Sequence, residues 1–149
     1  MDRMERPDGQ ELRLTEDAGN ILWIRPCVGM TYPQAGPQVR AVLHDSYHSG
    51  TIAVNAGLEE FAGRMEQAGI PVYLTGASSG EAEYETVRMY EQYGIRVLPK
   101  MSLIAAYCKL WLALSNDLDV NSIMNTCIAE DIIQEQRGVI RTDEQSRRD

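Results

Sequence analysis

The sequence predicts a three-layer α/β domain built on a four-stranded parallel sheet. Three observations carry this. Short apolar runs alternate with longer segments of helical periodicity, the pattern of an α/β layered fold. The runs are almost continuously apolar, as strands covered on both faces are. Asn, Ser, Asp and Gly stand where caps and turns need them. The chain has 149 residues, which fits one domain. A chain of that size buries about 70% of its unfolded surface and needs no staples.

Segment 1–20 is polar and charge-mixed, with Pro7 and Gly9, and reads as a linker or arm with at most a short edge strand over Glu11–Leu14. The ordered body is 21–133. Its strands are read at Ile21–Ile24, Val39–Leu43, Val72–Leu74 and Ile95–Leu98. In Ala56–Ala68, Leu58, Phe61, Ala62 and Met65 fall at i, i+3, i+4 and i+7, one face of a helix. Asn55 caps its start and Gly69 takes the left-handed position at its end. A second helix opens on Ser78-Ser79-Gly80-Glu81, with capping-box spacing, and stops at Gly94. Ser102 caps a third, whose inward stripe is Leu103, Ala106, Tyr107, Leu110 and Leu114. Asp119 caps a last helix with Ile123, Cys127 and Ile128 as its stripe. Trp111, Leu112, Met124 and Ile132 are apolar residues in excess of those stripes and predict an interface. The tail 134–149 is polar and frays.

One connection is irregular. Only Pro26–Gln38, with three Pro and two Gly, separates the first two strands. A parallel connection usually contains a helix, so this is either a tight loop or the first strand is misassigned.

Composition narrows the function. Fourteen Lys and Arg against 22 Asp and Glu give a net charge of −8. That argues against a protein that grips nucleic-acid phosphates or anionic membrane. No apolar run reaches the roughly 18 residues of a membrane span, and MDRMERPDGQ contains no signal-peptide apolar stretch. Three Cys without CxxC spacing read as reduced thiols of a cytoplasmic protein.

In parallel sheets ligands sit beyond the carboxyl ends of the strands. That directs attention to the loops Cys27–Gly36, Asp45–Asn55 and Thr75–Gly80. Gly76-Ala77-Ser78-Ser79-Gly80 fits G-x-S-x-G between a strand and a helix. A nucleophile elbow needs a His after the Ser, whereas His44 and His48 both precede it. A helix cap is the plainer reading. His44 and His48 lie four apart but at a strand end and in a loop, which does not align them on one ion. Ser49-Gly50-Thr51 reads equally as an anion cradle of loop N–H groups or as a simple turn. Glu81, Glu83 and Glu85 open a helix; their position alone favours solvated acids near the positive end of the dipole. No complete set of nucleophile and base is visible.

Several stretches resemble one family. ILWIRPCVGM (Ile21–Met30) looks like the strand and "PGM/VG" opening of the C-terminal domain of bacterial L-asparaginases. VLHDSYHSGT (Val42–Thr51) is similar to the family's second strand and its "YHSGT" or "YGxGN" loop, and IPVYLT (Ile70–Thr75) to "GIPVVxxSQ". Gly94–Leu110 matches "GVIPGGDMTxEAALAKL" without gaps, sharing Gly94, Met101, Ala105, Ala106, Lys109 and Leu110. The chain departs where the family's Asp is Lys100, its Thr is Ser102, its Glu is Ile104 and the Gly of "YxTG" is Val87. The "TGGT" and "TDT" threonines of the family's N-terminal domain do not occur, and Thr75-Gly76-Ala77 is only an echo.

The resemblance implies a Rossmann-like or flavodoxin-like domain of an L-asparaginase-type amidohydrolase, which converts L-asparagine and water to L-aspartate and ammonia. It implies a threonine nucleophile in a separate catalytic domain, in cis or in trans, with no metal or cofactor. It implies a homo-oligomer in which this domain forms the dimer interface and lends substrate contacts to a neighbouring subunit. The position matching the family's substrate-side Asn is Thr51, with a changed side chain. The position matching its helix-start Glu is Glu83, with the carboxylate kept for a substrate ammonium group. The isolated chain is expected to be inactive. The alternative is a stand-alone amino-acid-binding or regulatory module, or an inactive truncated fragment.

Overall fold

Four tetrapeptides, ILWI, AVLH, VYLT and IRVL, make the sheet. The structure is a computed structural model, and it describes residues 20–76, 83–98 and 101–125. The elements are β1 (Ile21–Ile24), β2 (Ala41–His44), α1 (Ala56–Ala68), β3 (Val72–Thr75), α2 (Glu83–Gln92), β4 (Ile95–Leu98), α3 (Leu103–Ser115) and α4 (Val120–Met124). All pairings are parallel, in the order β1-β2-β3-β4. Register runs across the sheet from Ile24 to His44 to Leu74 to Val97.

Every residue of the central strands β2 and β3 is buried, which explains their unbroken apolar character. The edge strands expose Trp23 and Arg96. On one face Val42, Leu74 and Ile95 pack with Leu58 and Phe61 of α1 and Tyr90 of α2. On the other, Leu43, Tyr73 and Leu98 pack with Ala106 and Leu110 of α3 and Met124 of α4. The result is the three-layer α/β architecture the sequence predicts.

The caps follow the local chemistry. Asn55 Oδ1 accepts from Leu58 N–H at 3.0 Å, Ser102 Oγ from Ala105 N–H at 3.1 Å, and Asp119 Oδ2 from Ser122 N–H at 3.1 Å. Each satisfies an N-terminal donor with no partner inside its helix. Gly69, at φ 69°, ends α1. Its N–H reaches Glu66 O and Ile70 N–H reaches Met65 O, the paired bonds of a Schellman motif.

The irregular connection resolves as a loop. β1 is a true strand, and the stretch 25–40 crosses the α1 face without a helix. Met30, Tyr32 and Ala35 pack against the core there, and Val39 is buried. The Tyr32 ring stacks on Phe61 with centroids 4.9 Å apart. Thus all three β-to-β crossovers lie on one face. α3 then returns over the other face to touch β2 and β1.

Two readings need correction. The second strand begins at Ala41 rather than Val39 and extends to His44, because Val39 packs as part of the loop. Met124 is not surplus apolar surface: it is buried against the sheet, 3% exposed. The last described helix ends there, so Cys127, Ile128 and Ile132 lie outside the described residues. Among the described residues the exposed large apolar side chains are Val28 and, together around Tyr107, Trp23, 46% exposed, and Ile104, 76% exposed.

Leu110 is fully buried at the middle of α3. Leu110→Ala is expected to lower unfolding stability by about 2–5 kcal/mol. Glu83→Gln, at the first position of α2, removes one charge near a helix start and should cost no more than about 1 kcal/mol. Urea denaturation of both variants checks the order.

Candidate functional site

The strand ends place the candidate site. Beyond the carboxyl ends of β1, β2 and β3, an open cleft of about 460 Å³ is lined by Arg25 and Pro26, by Asp45, Ser46, Tyr47 and His48, and by Gly76. Each group comes from the first residues after a strand. The loops beyond carboxyl strand ends were the expected location, but Cys27–Gly36 contributes little: Met30, Tyr32 and Ala35 turn onto the core.

Close approach of two loops defines the cleft floor. Gly76 has φ +78°, and a Cβ there would lie 2.5 Å from Ser46 Oγ. Only glycine lets the chain leave β3 this close to the β2 loop without strain. Asp45 Oδ1 accepts from Ser46 N–H at 2.9 Å, which orients the carboxylate. The Arg25 guanidinium lies 5.6 Å from the Trp23 ring centroid, in cation–π range. Arg25 and Asp45, residues of opposite charge, therefore line the same cleft, with Ser46, Tyr47 and His48 beside them.

Behind the cleft, His44 is fully buried. Its Nδ1 lies 2.6 Å from the Asp45 carbonyl, and its Nε2 lies 2.9 Å from Tyr32 Oη. A carbonyl only accepts, so Nδ1 carries the proton and Nε2 accepts from the Tyr32 hydroxyl. The ring is neutral and both nitrogens are used. Burial pushes the His44 pKa below its usual 6.5, opposed in part by the bond to the Asp45 carbonyl and by the Asp45 charge. Burial, with smaller contributions from Tyr47 and Tyr90, pushes the Tyr32 hydroxyl up to about 12.

Thr51 is exposed on the same loop as Asp45–His48. Its carbonyl accepts from Tyr47 N–H at 2.9 Å, and its Oγ1 meets Ser49 Oγ at 2.9 Å. It adjoins the cleft through Tyr47 rather than lining it. Glu83 is the first residue of α2, and its side chain lies outside the described residues. Glu81 and the Ser78-Ser79-Gly80 segment also lie outside them; Glu85 is exposed. His44 and His48 do not converge on an ion, since His44 is consumed by Tyr32 and Asp45. Among the described residues no group of three or more His, Cys, Asp or Glu is placed to hold a metal. No helix among them is long and apolar enough to cross a membrane.

Arg25, Asp45, Ser46 and Tyr47 were missed as individual residues. The signal available was positional: each stands within three residues of the end of β1 or β2. The fold and site define a parallel α/β domain with a mixed-charge cleft at its carboxyl edge. In comparison with known proteins, no family model, no curated protein and no solved structure matches the chain.

Two outcomes test this geometry. Gly76→Ala should destabilise by about 1–2 kcal/mol from its left-handed φ alone, with Ser46 displaced as well; a melt and the amide shifts of Asp45–His48 report it. The His44 pKa is lower in the folded chain than in the unfolded one, so the unfolded state takes up the proton first as pH falls. This contribution to stability is complete above pH 6.5 and declines below it, until the folded-state pKa is passed. An NMR titration of the His44 ring should show a midpoint below 6.5.

Proposed function

We propose that the chain binds a small amino acid at this cleft, as the C-terminal substrate-side domain of an L-asparaginase-type amidohydrolase. One observation carries the reading: Arg25 and Asp45 line one cleft, a pairing suited to the carboxylate and ammonium of an α-amino acid. An arginine fork takes a carboxylate through two charge-assisted bonds. The quoted asparaginase-like stretches supply those strand ends and the Gly94–Leu110 segment. In this reading Thr51 and Glu83 face the substrate of a neighbouring subunit. The threonine nucleophile belongs to a separate catalytic domain, and the protein works as a cytoplasmic homo-oligomer. The exposed face of Trp23, Ile104 and Tyr107 is where self-association has most apolar surface to gain. The cleft is built from this chain alone, and that favours, as a second reading, amino-acid binding without catalysis.

Titration with L-aspartate should perturb the NMR signals of Arg25 and Asp45–His48. Arg25→Ala should weaken binding by about tenfold or more, the worth of a hydrogen bond to a charged group. The chain alone should release no ammonia from L-asparagine, because acyl transfer needs an activated nucleophile. Fused to a threonine-bearing catalytic domain of a related asparaginase it should do so, and Glu83→Gln should then cut kcat/KM at least about tenfold. Binding without activity in the fusion would select the second reading. No perturbation at the cleft would sink both.

A further inference from the structure

We infer that Tyr90 is a positioning residue for the cleft: its phenol pins the Tyr47–Ile52 turn to α2. The turn is closed on itself by Tyr47 N–H to Thr51 O at 2.9 Å and Gly50 N–H to Tyr47 O at 2.8 Å, with Gly50 at φ +77°. Upstream, the β2 ladder holds the chain through Asp45 N–H to Ile24 O; downstream, Asn55 caps α1. Between these anchors, among the described residues, the hydrogen bonds that leave the turn are two, and Tyr90 makes both. Ile52 N–H donates to Tyr90 Oη at 2.9 Å, and the Tyr90 hydroxyl donates to Ile52 O at 3.1 Å.

A hydroxyl suits this task because it is donor and acceptor at once. One side chain thereby satisfies both backbone groups of one residue. The site is dry: Tyr90 is 1% and Ile52 5% exposed. Removing the hydroxyl leaves two buried polar groups unpaired unless the turn shifts to reach water. The turn carries Tyr47 and His48 of the cleft and Thr51 beside it. At the other end of α2, two helical turns before Tyr90, stands position 83. Tyr90 therefore ties the C-terminal part of α2 to the cleft loop. The effect on ligand affinity rests on the amino-acid reading; the effect on the turn does not.

The test is Tyr90→Phe, with Met65→Ala as a control that weakens the same buried cluster without removing a hydrogen bond to the turn. Amide hydrogen exchange is measured relative to Leu43 and Leu74. A bond lost only at Ile52 would speed that amide alone. Pinning of the whole turn requires Tyr47 and Gly50, which do not bond Tyr90, to exchange about tenfold faster or more in Tyr90→Phe and unchanged in Met65→Ala. Tyr47 and Gly50 amides that keep pace with Leu43 and Leu74 would overturn the inference. In parallel, the Kd for L-aspartate should rise about tenfold in Tyr90→Phe and not in Met65→Ala. If the wild-type chain does not bind L-aspartate, the functional reading fails, and exchange at Tyr47 and Gly50 alone decides the role of Tyr90.

Discussion

A parallel strand pair needs something to cover the sheet on the way back, and between β1 and β2 that cover is a loop rather than a helix. Tyr32 makes the substitution work. Its ring fills the helix-like position by stacking on Phe61, and its hydroxyl satisfies the buried His44 at the end of β2. Without that acceptor–donor match, His44 would be a buried polar group with an unpaired nitrogen, a cost of about 1–3 kcal/mol. The same imidazole fixes the Asp45 carbonyl, so the first residue of the cleft loop is oriented from behind by the core.

The cleft follows from how little space separates the strand-end loops. Gly76 allows the β3 loop to pass against Ser46, and the β2 ladder extends one residue to Asp45. Arg25, held over Trp23, brings a cation from the edge strand to the same opening. The polar side chains of the cleft are thus tied to rigid elements, with the Tyr47–Thr51 turn as the most loosely tied part. That turn is where a single phenol from α2 matters.

Much of this was legible in the sequence because it is local. The Schellman end at Gly69, the caps Asn55, Ser102 and Asp119, and the stripe of α1 depend on residues a few positions apart. β1, α1 and β4 were read at their observed bounds for the same reason. What escaped the reading is nonlocal. Tyr90 meets Ile52 across 38 positions, and Tyr32 meets His44 between a loop and a strand. No periodicity records such pairs, since a tyrosine on a helix face looks like core with or without a hydroxyl partner. His44 was read at a strand end, where it is, but its burial and its bond to Tyr32 depend on a loop that packs back onto the strand. The burial of Met124 depends on the angle at which a five-residue helix leaves α3, which its composition does not encode. Of the two positions singled out, Thr51 adjoins the cleft by a backbone bond and Glu83 stands at the start of α2.

The strand order has a consequence for how the chain is made. Sheet growth runs from β1 to β4 without reversal, and every crossover covers the same face. During synthesis the α1 and α2 layer is available as soon as β4 emerges. Among the described residues, the opposite face, with Leu43, Tyr73 and Leu98, is covered by α3 and α4, which are translated last. A nascent chain halted before Leu103 would lack the α3 and α4 side chains that bury this apolar face, and transiently exposed apolar surface is what recruits chaperones and seeds aggregation. The third layer is therefore the step that ends this vulnerability, and α3 carries a strongly apolar sequence, LIAAYCKLWLALS, for a helix that reaches its sheet late.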